Sequence, residues 1–135
     1  MQNWMFQSIA DRYDLRNPDI VEVGKKDTWY ATRYKNRMQE GDTVYFWLGG
    51  VGEQRGIYTI GKIISAPYQK PEWDAYGIDV IYEKILDTPL TVNTLKRNTV
   101  LSNMLILRAP QATNFLLSGE ESLEIELLLG EMNNA

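Results

Sequence analysis

The sequence predicts one small α+β domain, a strongly bent β-sheet or barrel with α-helices packed outside it. Three observations lead there. A long hairpin signal occupies the middle of the chain, two strand-like runs about a glycine-rich turn at residues 49–52. Short β-branched and aromatic runs stand on both sides of it, and helical patterns lie between and after them. The 135 residues carry no repeat, linker or low-complexity tract, so residues 1–135 read as a single domain. Curvature is inferred from the many short strands, since periodicity alone does not show closure.

Residues 4–9, bulky and flanked by polar residues, read as an opening strand. Asp27-Thr28 offers an N-cap for a helix to about Gln39, with Tyr30, Tyr34 and Met38 recurring every fourth residue as its buried stripe. Gly41-Asp42 turns the chain into residues 43–48, the strongest strand signal present. Gly49-Gly50-Val51-Gly52 makes the hairpin turn, because glycine tolerates positive φ. The return strand covers residues 56–64 and stops at Pro67, and residues 69–74 form a loop containing Trp73. Residues 77–82 alternate as a half-buried strand does, with residues 86–90 continuing it beyond a bend. Residues 93–103 read as a short helix and residues 104–107 as a short strand. Ser118 and Glu121 make a capping box ahead of an amphipathic helix whose apolar stripe is Leu123, Leu127 and Leu128.

Composition narrows the function. No apolar run reaches the roughly 18 residues of a membrane span, and the start lacks a secretory signal pattern. The absence of cysteine removes any disulfide framework and suits a cytoplasmic location. The net charge of -4 is unevenly placed. Residues 118–135 hold five glutamates and no base; the other 13 acids face 14 bases, a balance of +1. Lys25, Lys26, Arg33, Lys35 and Arg37 cluster around Asp27. On charge alone this cluster reads equally as a phosphate-contacting patch or as a solvated helix face.

Several chemistries fall away. With neither histidine nor cysteine, Ser-His-Asp triads, thiol nucleophiles and Cys/His zinc sites are impossible. The glycine-rich turn continues Glu53-Gln54-Arg55-Gly56 and lacks the Gly-Lys-Ser/Thr of a phosphate loop. No Asp or Glu has a lysine two positions later, as many carboxylate-metal nuclease sites do. Asp79, Glu83 and Asp87 are read as solvent-facing rather than as an acid–base pair. No catalytic residue, metal or cofactor is assigned.

Four tryptophans in so small a domain direct attention to binding. Each taken singly reads as core, but Trp29 stands off the expected helix stripe, and Trp73 lies in a loop. Aromatic pairs of this kind can sandwich a base, with stacking worth about 1–3 kcal/mol. The order of segments then becomes specific. Trp4-x-Phe6-Gln7-Ser8 is followed by Trp29, by Gly41-Asp42-x-Val44-Tyr45-Phe46-Trp47, and by Gly56-Ile57-Tyr58-x-Ile60-Gly61. Ala66-Pro67-Tyr68 and Pro110-Gln111-Ala112-Thr113-Asn114-Phe115 complete it. This series resembles the EVE domain of the PUA-like superfamily, related to the YTH readers of methylated adenine, and particularly the EVE modules of modification-dependent restriction enzymes. Ala112 departs from the glycine often found there.

The resemblance implies a PUA-like, strongly bent β-barrel of about six strands with helices packed outside, and a pocket that holds a modified base. It implies base contacts from Trp29, Trp73 and Ser8, with Trp47 and Asn114 as further pocket members. Lys35, Arg37 and Arg55 are expected at the phosphates. The expected function is non-catalytic recognition of a methylated or hydroxymethylated base, flipped out of DNA, with a nuclease or motor domain as associated partner. The alternatives are an RNA-binding reader of PUA or YTH type, and a small-molecule or protein-interaction module on the same fold.

Overall fold

Alternate residues of the central strands belong to two different cores, and this two-sided burial sets the architecture. The computed structural model describes residues 1–133. In β1 (Asn3–Ile9), Trp4 and Phe6 point to one side and Met5 to the other, all fully buried. In β3 (Thr43–Gly49), Val44, Phe46 and Leu48 join Trp4 and Phe6, while Tyr45 and Trp47 join Met5. A strand covered on both faces has the near-continuous apolar run that made residues 43–48 conspicuous. The first core also takes in Trp29, Ile78, Val80 and Tyr82, farther along the sheet. The second is capped by α1 (Val92–Lys96), α2 (Leu105–Arg108) and α3 (Gly119–Asn133), through residues such as Leu95, Ile106, Ile125 and Leu129.

The mixed sheet follows the path β2-β6-β4-β3-β1-β7, with the three-residue β5 (Tyr68–Lys70) added to β6. Its members are β2 (Lys26–Tyr30), β4 (Gly56–Ile63), β6 (Ala75–Thr91) and β7 (Asn114–Leu117) besides β1 and β3. β1 and β3 pair in parallel; every other pairing is antiparallel. The register slips at Tyr58 between β3 and β4, and twice between β4 and β6. Such bulges bend and twist a sheet. At Gly61, beside one slip, a Cβ would collide with the Ile81 carbonyl oxygen, so only glycine lets β4 and β6 approach so closely. The result is a curled half-barrel, the PUA-like fold that the sequence led us to expect.

Curling brings the free edges β2 and β7 together, and one side chain joins them. Asn114 is fully buried. Its amide nitrogen donates to the Tyr30 carbonyl at 3.0 Å, and its oxygen accepts from the Thr32 N–H at 2.9 Å and the Thr32 hydroxyl at 3.1 Å. The side chain thereby supplies the ladder bonds that the two edges do not make with each other.

Some sequence-based expectations are corrected. Residues 28–39 are not a helix. Residues 26–30 form β2, paired with β6 from Lys26↔Ile81 to Tyr30↔Gly77, and a 3-10 turn covers Lys35–Arg37. Of the supposed stripe only Met38 is buried, whereas Tyr30 and Tyr34 are exposed and Tyr34 has φ 63°. Pairing with a neighbouring strand overrode a four-residue spacing that arose by coincidence. Of residues 104–107, Met104 caps α2 and the rest fall within it rather than in a strand, since a four-residue apolar run fits either state. The helix read at residues 93–103 divides into α1 and a 3-10 turn at Leu101–Asn103, with the Asn98 carboxamide accepting from the Val100 and Leu101 N–H groups, each at 3.0 Å.

The capping box forms as read: the Glu121 N–H donates to Ser118 Oγ at 3.1 Å and the Ser118 N–H to Glu121 Oε1 at 2.8 Å. The stripe behind it is rotated, however. Ser122, Ile125 and Leu129 are buried, Leu123 and Leu127 exposed. No helix among the described residues is long and apolar enough to cross a membrane.

Asn114→Ala removes a buried carboxamide and strands the groups on Tyr30 and Thr32. A loss of about 2–3 kcal/mol is expected, read as a lower urea midpoint at unchanged slope. A midpoint equal to that of the parent would show that the edges close without it.

Candidate functional site

The meeting of the two edges encloses a cavity of about 670 Å3. Its walls come from the end of β1 and the turn after it, from β2, from the hairpin turn at Gly50, from Trp73, and from the loop at residues 110–113. Each wall is held by a specific bond. The Ser8 hydroxyl donates to the Tyr13 carbonyl at 2.9 Å, and the Arg12 and Tyr13 N–H groups both donate to the Ile9 carbonyl. Those bonds fold the turn back so that Arg12 and Tyr13 face the cavity. Gln7 donates from its side-chain amide to the Pro110 and Ala112 carbonyls at 3.1 and 2.7 Å, and its backbone N–H donates to the Thr113 carbonyl at 2.8 Å. The loop before β7 is thus anchored to β1.

Aromatic rings make much of the surface. Trp29 is 7% exposed, so it forms a wall rather than a projecting plate. Its ring packs 5.1 Å from Phe46 and edge-on to Tyr13 at 5.3 Å. Trp73 sits half-buried in the 3-10 turn Pro71–Trp73, its ring 4.6 Å from that of Tyr30. The Lys70 ammonium lies 4.5 Å from the Trp73 ring centroid and bridges to Glu72. Both contacts favour one orientation of an otherwise mobile indole.

Behind Trp29 runs a hydrogen-bonded chain. The indole N–H donates to the Tyr82 hydroxyl at 2.9 Å, and Tyr82 donates to Asp27 Oδ2 at 3.0 Å. The Tyr13 hydroxyl donates to the same carboxylate oxygen. Asp27 Oδ1 accepts the Thr28 N–H at 2.8 Å. Burial above all raises the Tyr13 and Tyr82 hydroxyls well above the ordinary tyrosine value; the next cause is the bond to Asp27 for Tyr13 and the 2.9 Å contact with the Tyr13 hydroxyl for Tyr82, against which the Trp29 N–H works. Both hydroxyls are therefore neutral donors at physiological pH.

Of the residues singled out from the sequence, the structure gathers Ser8, Trp29 and Trp73 at this cavity. Trp47 does not line it. It is 2% exposed and belongs to the helix-covered core with Tyr45 and Ile57, because odd-numbered residues of β3 face the helices. Asn114 is spent on closing the sheet and does not line it either. Lys35, Arg37 and Arg55 also stand outside the wall. Lys35 lies over Tyr76 at 5.0 Å, Arg37 is exposed in the 3-10 turn, and Arg55 Nε donates to the Gly52 carbonyl at 2.9 Å. Asp79, weighed for acid–base work, accepts from Thr28 and Tyr68 at 2.7 and 2.6 Å.

Sequence reasoning passed over Arg12, Tyr13 and Asp27. The signal for Asp27 was present. In a strand, residues 27 and 29 share a face, so a carboxylate two positions before Trp29 points the same way. Reading a helix there hid it. Gln7 and residues 110–113 belonged to the motif series but had been given no role. Nothing in the spacing marks Tyr13.

A family model described as the EVE domain matches residues 2–127. No curated protein matches the chain. Solved structures share its fold. A protein from Rhodopseudomonas palustris superposes with a TM-score of 0.78 at 18% identity, over 98% of this chain and 95% of that one. A protein from Leishmania major gives 0.75 at 20%, over 97% and 96%. Human THYN1, in complex with DNA containing 5-methylcytosine, gives 0.71 at 15%, over 96% and 98%. At these identities the likeness speaks for the fold alone.

The buried hydroxyls make stability depend on pH in one direction. Tyr13, Tyr45 and Tyr82 titrate higher in the folded protein than the ordinary 10.0, chiefly through burial. Above pH 10 the unfolded chain therefore loses protons that the folded chain retains, and stability falls. Urea midpoints are expected to be insensitive to these groups from pH 7 to 9 and to drop steeply beyond about pH 10. Tyr82→Phe should make that drop shallower; an equal slope in parent and variant would exclude Tyr82 as a source.

Proposed function

The chain belongs to the EVE domain family, and from that premise we propose that it is a non-catalytic module that takes a modified base of DNA, methylated or hydroxymethylated, into the cavity beside Trp29. The observation that carries this reading is the cavity itself: about 670 Å3, walled by Tyr13, Trp29, Tyr30 and Trp73, with polar groups from Ser8 and Asp27 in the same wall. That combination of apolar faces and a few placed polar groups is what a planar heterocycle requires. The family membership and the binding of 5-methylcytosine DNA by the human neighbour point the same way.

Entry of a base from duplex DNA requires flipping, at a cost of a few kcal/mol. Stacking at about 1–3 kcal/mol per base and base-edge hydrogen bonds offset it. In this reading Trp29 and Trp73 supply aromatic surface and Ser8 an edge contact. Arg12, exposed at the cavity and without a carboxylate partner among the described residues, meets the phosphate beside the flipped nucleotide. Lys35, Arg37 and Arg55 are assigned to more distant phosphates. The module acts in the cytoplasm, and the step that follows recognition belongs to an associated nuclease or motor domain, as in restriction by modification-dependent systems.

Binding at moderate salt to matched oligonucleotides tests this. The set is duplex DNA with unmodified bases, 5-methylcytosine, 5-hydroxymethylcytosine or N6-methyladenine, and methylated RNA. One modified DNA is expected to bind selectively, with Trp29→Ala and the milder Trp73→Ala each weakening it about tenfold or more. Tighter binding of the RNA would move the assignment to an RNA reader, and binding of none would remove it. Arg12→Ala should weaken all DNA alike and lower the salt slope by about one; an unchanged slope would take Arg12 off the backbone.

A further inference from the structure

Beside Asp27, several side-chain donors of the cavity wall are spent on the protein. Ser8 gives its single hydroxyl proton to the Tyr13 carbonyl, and Thr28 gives its own to Asp79. The Tyr13 hydroxyl donates to Asp27. Both amide protons of Gln7 go to the Pro110 and Ala112 carbonyls. A hydroxyl whose proton is committed can only accept. What these four side chains still offer an occupant is lone pairs; the wall's uncommitted donors stand elsewhere, on Arg12 at the rim and on Tyr30, Trp73, Gln111 and Thr113.

Asp27 concentrates that offer. Its Oδ2 is taken up by the Tyr13 and Tyr82 hydroxyls, while Oδ1 holds only the adjacent Thr28 N–H. A carboxylate oxygen accepts about two hydrogen bonds, so Oδ1 retains capacity for one more. No lysine or arginine is within ion-pair distance of Asp27 among the described residues. The tyrosines and the Thr28 amide fix the carboxylate in place, and its strand register puts it on the same face as Trp29.

We propose that the cavity selects a base bearing an exocyclic amino group, of the cytosine or adenine type, over its keto counterpart, and that Asp27 Oδ1 accepts the amino proton. The inference rests on the base-pocket reading above and names its specificity-determining residue. A keto oxygen in the same place meets a carboxylate lone pair with no proton between them. Mispaired acceptors in a site that excludes water are discriminated more strongly than differences in apolar size.

The test uses the full chain and single-stranded oligonucleotides, which need no flipping, identical except for one central base. 5-Methylcytosine and thymine share the 5-methyl group and differ at the amino or keto edge. A third strand carries 5-methyl-pyrimidin-2-one, which lacks the 4-amino group. Fluorescence anisotropy is expected to show 5-methylcytosine bound about tenfold or more tighter than either, within the range of one good base-edge contact. In Asp27→Asn the carboxamide keeps an oxygen for the two tyrosine hydroxyls and puts an N–H2 donor where Oδ1 stood, at the expense of the Thr28 N–H bond. Its preference should fall to about unity or reverse toward thymine.

Equal binding of the three strands by the parent protein would overturn the inference and leave the base pocket standing. An undiminished preference in a folded Asp27→Asn would remove the role from Asp27. Absence of binding to every strand would sink the base-pocket reading and this inference with it. A thermal melt establishes that the variant is folded, and should it not be, the comparison of three strands by the parent decides the amino preference alone.

Discussion

A curled sheet with two unpaired edges must reconcile them or open, and here a single buried carboxamide does so. Asn114 bonds to Tyr30 and Thr32 just beyond the end of β2, at the first residue of β7. The segments flanking that contact are the cavity's walls: residues 27–30 on one side and residues 110–113 on the other. Closing the sheet and forming the pocket are therefore the same event. The bulges and the bare Gly61 supply the curvature that makes the contact possible, and the double-sided core keeps the curved strands rigid.

The pocket in turn borrows its precision from the core that Trp4 and Phe6 share. Trp29 belongs to the cluster that contains Phe46 and Tyr82, and it shows the cavity only a margin of its ring. Its N–H is satisfied inside the protein rather than by an occupant. A buried polar chain of this kind is costly when incomplete and rigid when complete. The Trp29–Tyr82–Asp27–Tyr13 chain is complete, which fixes at once the orientation of the indole and the side of the carboxylate left uncommitted.

How much of this stood in the sequence depended on whether the signal was local. The β3–β4 hairpin was legible because β-branched and aromatic runs flank a glycine-rich turn, and the Ser118–Glu121 cap because its partners are three residues apart. β2 was missed because a five-residue edge strand owes its state to β6, some 50 residues away. The same miss hid Asp27. Trp47 and Asn114 fit a pocket by residue type and by resemblance. Their sites are set by the parity of β3 and by the meeting of two edges, neither of which local spacing encodes. Ser8 was placed at the cavity only through the order of motifs, and Trp29 and Trp73 also by their positions, one off the expected stripe and one in a loop.

The order of strands also governs how the molecule can be made. β1 is first in sequence but lies between β3 and β7, and its partners arrive some 40 and 110 residues later. Until β3 is present, the Trp4–Met5–Phe6 run has nothing to pair with, and such non-local pairing is slow to form. On a ribosome the chain must emerge as far as Asn114 before the sheet can close. The cavity is then completed late and all at once, so a nascent chain can carry a nearly full barrel core and still lack it. Anything that prolongs the interval before β7 docks exposes the edges of β1 and β2, with self-association between growing chains as the competing outcome.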